Sequence, residues 1–199
     1  MKKCFLFAAA VTVVSAAAGQ DSKDSAKTAA PEFMNHVYYN DAGNKLIVLE
    51  KVEAEMKTKT KLGGFGGSNT SYIMTGDRSP MRIPQNKKTE FTIKTAGGSL
   101  MAGMGMNPAD MLHLYKFETK GGNRLSVLQE MGFMGKGGKE NYKGIKFNVK
   151  EISAGTYVLV PEKTLEPGEY GFLNTMDSRG SESDYRKIKY AVFAFAIDK

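Results

Sequence analysis

Short segments in which apolar and polar residues alternate are the feature that most constrains how this chain folds. In residues 144–150, the apolar side chains of Ile145, Phe147 and Val149 alternate with polar ones. Residues 47–61 alternate over a longer reach, with lysines and glutamates on one face and threonines and apolar residues on the other. Because successive side chains of a strand point to opposite faces, both segments predict half-buried strands. The final run, residues 190–197, is apolar on both faces and predicts a strand that is covered on both sides.

The same pattern recurs along the chain and sets the expected fold class. It predicts further strands at residues 71–74, 90–94, 112–117, 124–128, 156–160 and 169–173. Gly-Gly-Asn at 121–123 is typical of a hairpin turn, whereas Asn-Pro-Ala-Asp at 107–110 would open a short helix. About nine short strands separated by turn signals predict an antiparallel β-sandwich, with a small β-barrel as the alternative.

The first residues have the pattern of a secretory signal peptide. Met1 and two lysines precede an apolar run at 4–18 that ends in small residues, and cleavage after Ala18 or Gly19 fits the small-residue rule. We therefore expect a signal peptide at 1–19, a flexible polar linker at 20–32 and a single all-β domain at 33–199. This arrangement predicts an exported protein, periplasmic or extracellular, including the cell surface.

The composition of the chain without its signal peptide excludes several kinds of functional site and of partner. The chain has one cysteine, Cys4, which lies inside the signal, so the mature protein would have no disulfides, thiolate nucleophiles or cysteine metal sites. Losing Lys2 and Lys3 reduces the formal charge from +7 to +5. In an exported protein this basicity favours an envelope protein or an anionic glycan or lipid surface over nucleic acid. No later segment approaches the ~20 apolar residues of a transmembrane helix, and the oligomeric state stays open.

Glycine-rich segments carry the candidate binding residues. Gly-Gly-Phe-Gly-Gly at 63–67 presents Phe65, and the segment at 132–138 presents Phe133 and Met134. An apolar side chain flanked by glycines, on a loop of a rigid scaffold, is suited to docking on a partner. Met104 and Met106 lie in a similar setting. The alternative is that these side chains fold back into the core, where large apolar residues usually lie.

A methionine-rich segment supports an alternative function. Four methionines and one histidine fall within residues 101–113, and thioethers prefer Cu(I). The candidate ligands of a periplasmic Cu(I)-binding protein are Met101, Met104, Met106, Met111 and His113. Methionine also fills irregular gaps in apolar cores, which is the other interpretation.

No catalytic motif is complete in this sequence. The two histidines, His36 and His113, are not next to a recognised nucleophile motif, and Ser79 is interpreted as a turn residue before a proline. Paired carboxylates leave an envelope hydrolase as the second alternative. The cationic groups Lys87–Lys88 and Arg186, Lys187 and Lys189 are interpreted as solvated surface, with an anion-binding patch as the sharper interpretation.

A phrase near the carboxyl end carries two resemblances. Residues 165–170, Leu-Glu-Pro-Gly-Glu-Tyr, followed by a polar loop and a last apolar strand, resemble uncharacterised exported all-β proteins of Bacteroidetes-type bacteria. The Pro-Gly-Glu-Tyr part also resembles the end of small β-sandwich copper-resistance proteins, although their amino-terminal histidine and the histidine of their last loop are missing here. The first resemblance implies the fold and no activity. We therefore expect an exported, non-catalytic module without a cofactor that binds a partner or contributes to envelope structure.

Overall fold

The fold consists almost entirely of β-strands. The computed structural model describes residues 30–43, 45–61, 66–95, 107–132, 138–142, 144–180 and 188–199. Within these residues the elements are β1 (Val37–Asn40), β2 (Leu46–Val48), β3 (Glu50–Thr60), β4 (Ser68–Thr75), β5 (Arg82–Pro84), β6 (Phe91–Lys94), α1 (Pro108–Met111), β7 (Leu112–Lys120), β8 (Asn123–Met131), β9 (Gly138–Glu140), β10 (Phe147–Ser153), β11 (Thr156–Pro161), β12 (Gly168–Arg179) and β13 (Lys189–Asp198).

Six of these strands form a closed antiparallel barrel. Their order around the ring is β3–β4–β8–β7–β12–β13, and pairing of β13 with β3 closes it. The barrel interior is filled by the apolar side chains of alternate strand positions: Ala54, Tyr72, Met74, Tyr115, Phe117, Leu128, Leu173 and Val192. The predicted all-β class is therefore confirmed, and the ring has the topology that the sequence offered as the alternative to a sandwich.

A five-stranded antiparallel sheet packs against one side of the barrel. Its order is β10–β11–β6–β1–β2. The core between this sheet and the barrel contains, from the sheet, Val37, Tyr39, Phe91, Ile93, Tyr157 and Leu159 and, from the barrel wall, Leu112, Leu114, Tyr170, Phe172, Phe193, Phe195 and Ile197. The protein thus has two apolar cores, one inside the barrel and one between the barrel and the sheet.

Strand β13 takes part in both cores. Phe193 and Phe195 face the sheet, where the ring centroids of Phe195 and Phe91 are 4.6 Å apart. Val192 faces the barrel interior. Residues 191–197 are all buried, which confirms the prediction of a strand covered on both sides.

The long segment at 47–61 is divided between the five-stranded sheet and the barrel. Leu49 is the residue that separates β2 from β3 along the chain; it is buried, and its N–H donates to the carbonyl oxygen of Val37. β2 therefore pairs with β1 in the sheet, whereas β3 enters the barrel. The sequence does carry a mark of this division, because residues 46–49 are all apolar, Glu50 and Lys51 are both charged, and regular alternation resumes only at Val52. Two short strands were also missed: β5, which runs parallel to the end of β13, and β9, which pairs with β8.

The barrel wall contains an inserted segment between β7 and β8. These strands pair directly only at their hairpin, from Glu118 opposite Leu125 to the tight turn at 121–122. Further along, the N–H of Asn141 donates to the carbonyl oxygen of Leu128 (2.7 Å), and the N–H of Ile145 donates to that of Leu114 (2.7 Å). Segment 141–145 therefore supplies part of the hydrogen bonding that β7 and β8 do not give each other.

Gly144, in this segment, has a backbone position that disfavours a side chain. Its φ is +61°, and a Cβ there would stand 2.3 Å from the carbonyl oxygen of Leu114. We expect Gly144→Ala to lower the free energy of unfolding by about 2 kcal/mol or more, since left-handed backbone and a backbone collision both penalise a side chain. Gly43→Ala is the control, because a Cβ on Gly43 would have nothing within 4 Å. Urea denaturation measures both, and equal effects of the two substitutions would contradict this account.

Candidate functional site

The two ends of the barrel differ in how they are built. At one end β3, β8 and β12 finish, and β4, β7 and β13 begin. We call this the loop-bearing end, because the segments that the sequence marks as candidate binding loops connect to strands here. The opposite end carries the tight turn between β7 and β8 and a group of buried ion pairs. We call it the closed end.

The stems of the two glycine-rich segments lie side by side at the loop-bearing end. In the strand register Ser68 is opposite Met131, and Met131 is opposite Gly138. The β3–β4 and β8–β9 connections therefore leave the barrel from neighbouring strands. Between them is a depression of about 350 Å³, lined by Lys61, Gly66, Glu130, Met131, Gly132, Gly138 and Lys139.

Two glycines allow these stems to approach each other. A Cβ on Gly67, whose φ is +88°, would stand 2.1 Å from the carbonyl oxygen of Met131. A Cβ on Gly138 would stand 2.2 Å from the carbonyl oxygen of Glu130. At these two positions glycine is required by backbone packing, whatever the loops bind.

Most of the candidate residues from the sequence lie outside the described residues. These are Phe65, Met101, Met104, Met106, Phe133 and Met134. The stem that follows residues 101–106 is described: the Asn107 side chain accepts a hydrogen bond from the N–H of Ala109, and the Asp110 carboxylate accepts one from the N–H of Asn107. This capping box fixes the short predicted helix, which leads directly into β7 at the loop-bearing end.

Of the predicted copper ligands, Met111 and His113 are described. Met111 is buried, and its carbonyl oxygen accepts a hydrogen bond from the Thr175 hydroxyl (3.1 Å). His113 is half-buried, with its ring centroid 6.3 Å from that of Tyr115. The described part of the chain contains no group of three or more histidine, cysteine or acidic side chains arranged to hold a metal ion.

A cluster of three tyrosines lies inside the barrel beneath the loop-bearing end. The ring of Tyr72 is 5.6 Å from that of Tyr115 and 5.5 Å from that of Tyr190. Burial raises the pKa of Tyr115 to about 12 and also raises the pKa of Tyr72. The Tyr115 hydroxyl donates to the carbonyl oxygen of Tyr142 (2.6 Å), which ties the inserted segment to the interior.

The opposite end of the barrel is closed by buried charges. Arg124 is 1% exposed; its Nε donates to the carbonyl oxygen of Gly76 (3.1 Å), and its guanidinium nitrogens are 3.4 Å from Glu50 and 3.8 Å from Glu169. Arg82 joins the group through Glu169 (3.1 Å) and through paired contacts with Asp198. The Arg82 hydrogen bonds hold the pKa of Asp198 below its ordinary value.

Ser79, Lys189 and His36, three of the remaining candidates, each contact other described residues of the fold. Ser79 is buried, and its N–H donates to Glu169 (2.9 Å), so this turn is part of the closed end. Lys189 pairs with Glu53 (3.0 Å), while Arg186 and Lys187 lie outside the described residues. His36 Nδ1 is 3.0 Å from the carbonyl oxygen of Met34, and its ring is 5.7 Å from Phe193.

The sequence pattern does not single out Arg124 or Glu169. Each occupies a position on an alternating strand where a charge is expected to face solvent, although both are buried. The residue of the carboxyl-terminal phrase with the clearest role is Glu169, which receives the Ser79 N–H and contacts both arginines. A buried charge of this kind has no local sequence signal, because its burial depends on closure of the ring.

Neither a family model, nor a curated protein, nor a solved structure matches this chain. Among the helices that the described residues form, none has the length and apolar character needed to cross a bilayer.

Replacing Arg124 tests the closed end. We expect Arg124→Met to lower the free energy of unfolding by about 3 kcal/mol or more, because it leaves the Glu50 carboxylate without its cation and the buried Glu169 carboxylate with Arg82 alone. Arg179→Met is the matched control: Arg179 is 73% exposed and 3.9 Å from Glu53, so its loss should cost about 0.5 kcal/mol or less. Chemical denaturation measures both, and a small effect at Arg124 would refute the closing role.

The buried tyrosines predict a loss of stability at alkaline pH. A tyrosine of the unfolded chain has a pKa of about 10, whereas that of folded Tyr115 is about 12. Its contribution to stability is therefore complete below pH 10 and is lost as the pH rises from 10 to 12. We expect Tyr115→Phe to flatten this decline in unfolding free energy, measured by denaturation at each pH. Tyr142→Phe, at an exposed position, is the control, and an unchanged decline in Tyr115→Phe would overturn the assignment.

Proposed function

We propose that this protein is an exported, non-catalytic module that binds a protein partner of the cell envelope at the loop-bearing end of its barrel. The observation that carries this proposal is the convergence of the stems of the glycine-rich segments on that end. A rigid scaffold that presents neighbouring loops is a common basis of recognition. The charged closed end contributes stability and leaves the other end for binding.

Exposed apolar side chains support a protein as the partner. Met131 and Met176 are 41% and 59% exposed, and Tyr142 is also exposed, all in the part of the barrel next to the loop-bearing end. Exposed methionine and tyrosine side chains are typical of protein interaction surfaces, because methionine adapts its shape and tyrosine combines an apolar ring with a polar tip. These residues give the proposal a described surface that can be tested directly.

Barrel closure influences how the partner would be engaged. Each of the six barrel strands is hydrogen-bonded to a barrel neighbour on both sides over at least part of its length. Addition of a partner strand needs an open edge, which a closed ring does not offer. Binding at this end would therefore use side chains and loops.

The export part of the proposal rests on the signal-peptide pattern of residues 1–19. On this proposal the protein meets its partner in the periplasm, on the cell surface or outside the cell. The absence of a complete catalytic motif in the sequence supports a binding role over an enzymatic one.

Site-specific photocrosslinking tests the binding end. A photoreactive phenylalanine analogue at Met131, and separately at Met176, is expected to give one discrete adduct in envelope preparations, identified by mass spectrometry. The control position is Lys120, which is exposed beside the turn of the closed end. We expect no adduct there, since it lies at the opposite end of the same barrel.

Substitutions at the same positions then distinguish binding of the partner from chance proximity to it. Met131→Asp and Met176→Asp should each weaken co-purification of the identified partner, whereas Met34→Asp, also at an exposed methionine, should not. The proposal is refuted if adducts form equally at Lys120, or if the protein is recovered with anionic vesicles or glycans and gives no protein adduct.

A further inference from the structure

The face of the five-stranded sheet that points away from the barrel contains a depression of ligand size. Its volume is about 440 Å³, within the range of small-molecule sites. We call it the sheet pocket, and its lining comes from the β1–β2 hairpin, the turn before β6, and strands β6, β10 and β11, and includes Asn40, Leu46, Lys87, Glu90, Ile152 and Val158.

The polar groups of the sheet pocket are bonded to one another. The buried Thr92 hydroxyl donates to Asn40 Oδ1 (2.8 Å), and Asn40 Nδ2 donates to Glu90 Oε1 (3.1 Å). Lys88 forms an ion pair with the same carboxylate. Burial raises the pKa of Glu90, but the hydrogen bonds from Lys88 and Asn40 outweigh it and hold the pKa below its ordinary value. This network keeps Glu90 ionised and already paired.

A self-paired network disfavours a sugar as the occupant. Sugar hydroxyls need protein donors and acceptors that are free to exchange their water, and unpaired polar groups on either side reduce affinity. The chemistry of Thr92, Asn40 and Glu90 is largely used within the protein. An alkyl chain needs no free hydrogen-bond donors or acceptors from the protein.

Apolar side chains supply the surface that such a chain would cover. Leu46 and Val158 are half-buried in the pocket lining, and Ile152 is 47% exposed at its edge. Val48, two residues beyond Leu46 on the same face of β2, is equally exposed. Leu46 on β2 and Val158 on β11 lie on opposite sides of the Asn40 and Thr92 pair, so the pocket has apolar surface at both sides from which a ligand could remove water.

Lys87 supplies the charge at the rim. Among the acidic groups of the pocket, Glu90 is paired with Lys88, whereas the Asp41 carboxylate accepts only the neutral N–H of Ala42 (2.8 Å) and keeps its charge at the hairpin. Lys87 is exposed and forms no ion pair with any of the described residues. An anionic group at the mouth of the pocket would therefore meet a cation that is not already neutralised.

We propose that the sheet pocket binds a single amphiphile with a carboxylate head and a medium-length alkyl chain. The chain covers Leu46, Val158 and Ile152, and the head contacts Lys87. This site is on a different face from the loop-bearing end, so the proposal is independent of the partner-binding function.

Calorimetric titration of the mature chain with decanoate, below its micellar concentration, tests the proposal. We expect saturable binding of one molecule. Decyltrimethylammonium, which has the same chain and the opposite charge, should bind more weakly, and acetate and glucuronate should not bind measurably. Equal binding of the cationic and anionic amphiphiles would refute the role of the carboxylate, and binding of glucuronate without decanoate would replace the alkyl ligand with a sugar.

Matched variants locate the site. We expect Lys87→Gln to weaken decanoate binding about fivefold and Ile152→Asp at least about tenfold. Lys163→Gln and Val127→Asp are the controls, because Lys163 is an exposed lysine and Val127 is a 41% exposed apolar residue, both outside the pocket. Circular dichroism confirms that each variant is folded. The proposal is overturned if the control variants weaken binding as much as the pocket variants, or if none of the four changes it.

Discussion

The pairing of β12 with β13 is the constraint on which the rest of the structure depends. These two strands contribute to both cores, with Phe172 and Phe193 facing the sheet and Leu173 and Val192 facing the barrel interior. One hydrogen-bonded ladder thus contributes both to the apolar cluster inside the barrel and to the one between the barrel and the sheet. A substitution in this ladder acts on both, because a change of shape on one face of a close-packed strand displaces the backbone that the other face shares.

The strands could be predicted from the sequence, but their closure into a ring could not. Alternation is a local property, so residues 147–149 of β10 and the doubly apolar run at 190–197 are correctly predicted as strands. The division at Leu49 is different, because the alternation is interrupted at residues 46–51 but a local interruption does not reveal that the chain leaves the sheet and enters the barrel there. Ring closure and the insertion of residues 141–145 depend on contacts between distant parts of the chain. Such contacts leave no periodic signal.

The candidate site also depends on contacts between distant parts of the chain that the sequence does not reveal. Glycine-rich segments are visible in a sequence, but their meeting at one end depends on the register that places Ser68 opposite Met131. A glycine in these segments can serve a binding loop or a tight backbone contact. Gly67 and Gly138 are required by close backbone approach. A glycine-rich pattern therefore records a packing constraint as well as a candidate loop. Arg124 and Glu169 were missed because a strand pattern does not distinguish a barrel interior from solvent.

The asymmetry between the barrel ends links stability to the proposed binding. Buried charges are costly unless they are paired, so Arg124 and its carboxylates fix the geometry of the closed end. The loop-bearing end has the tyrosine cluster beneath it, whose rings pack in the interior and whose Tyr115 hydroxyl anchors the inserted segment. The strand ends that carry the loop stems are thus held together by interior contacts between described barrel residues. A scaffold whose strand ends are fixed in this way is suited to binding through its connections.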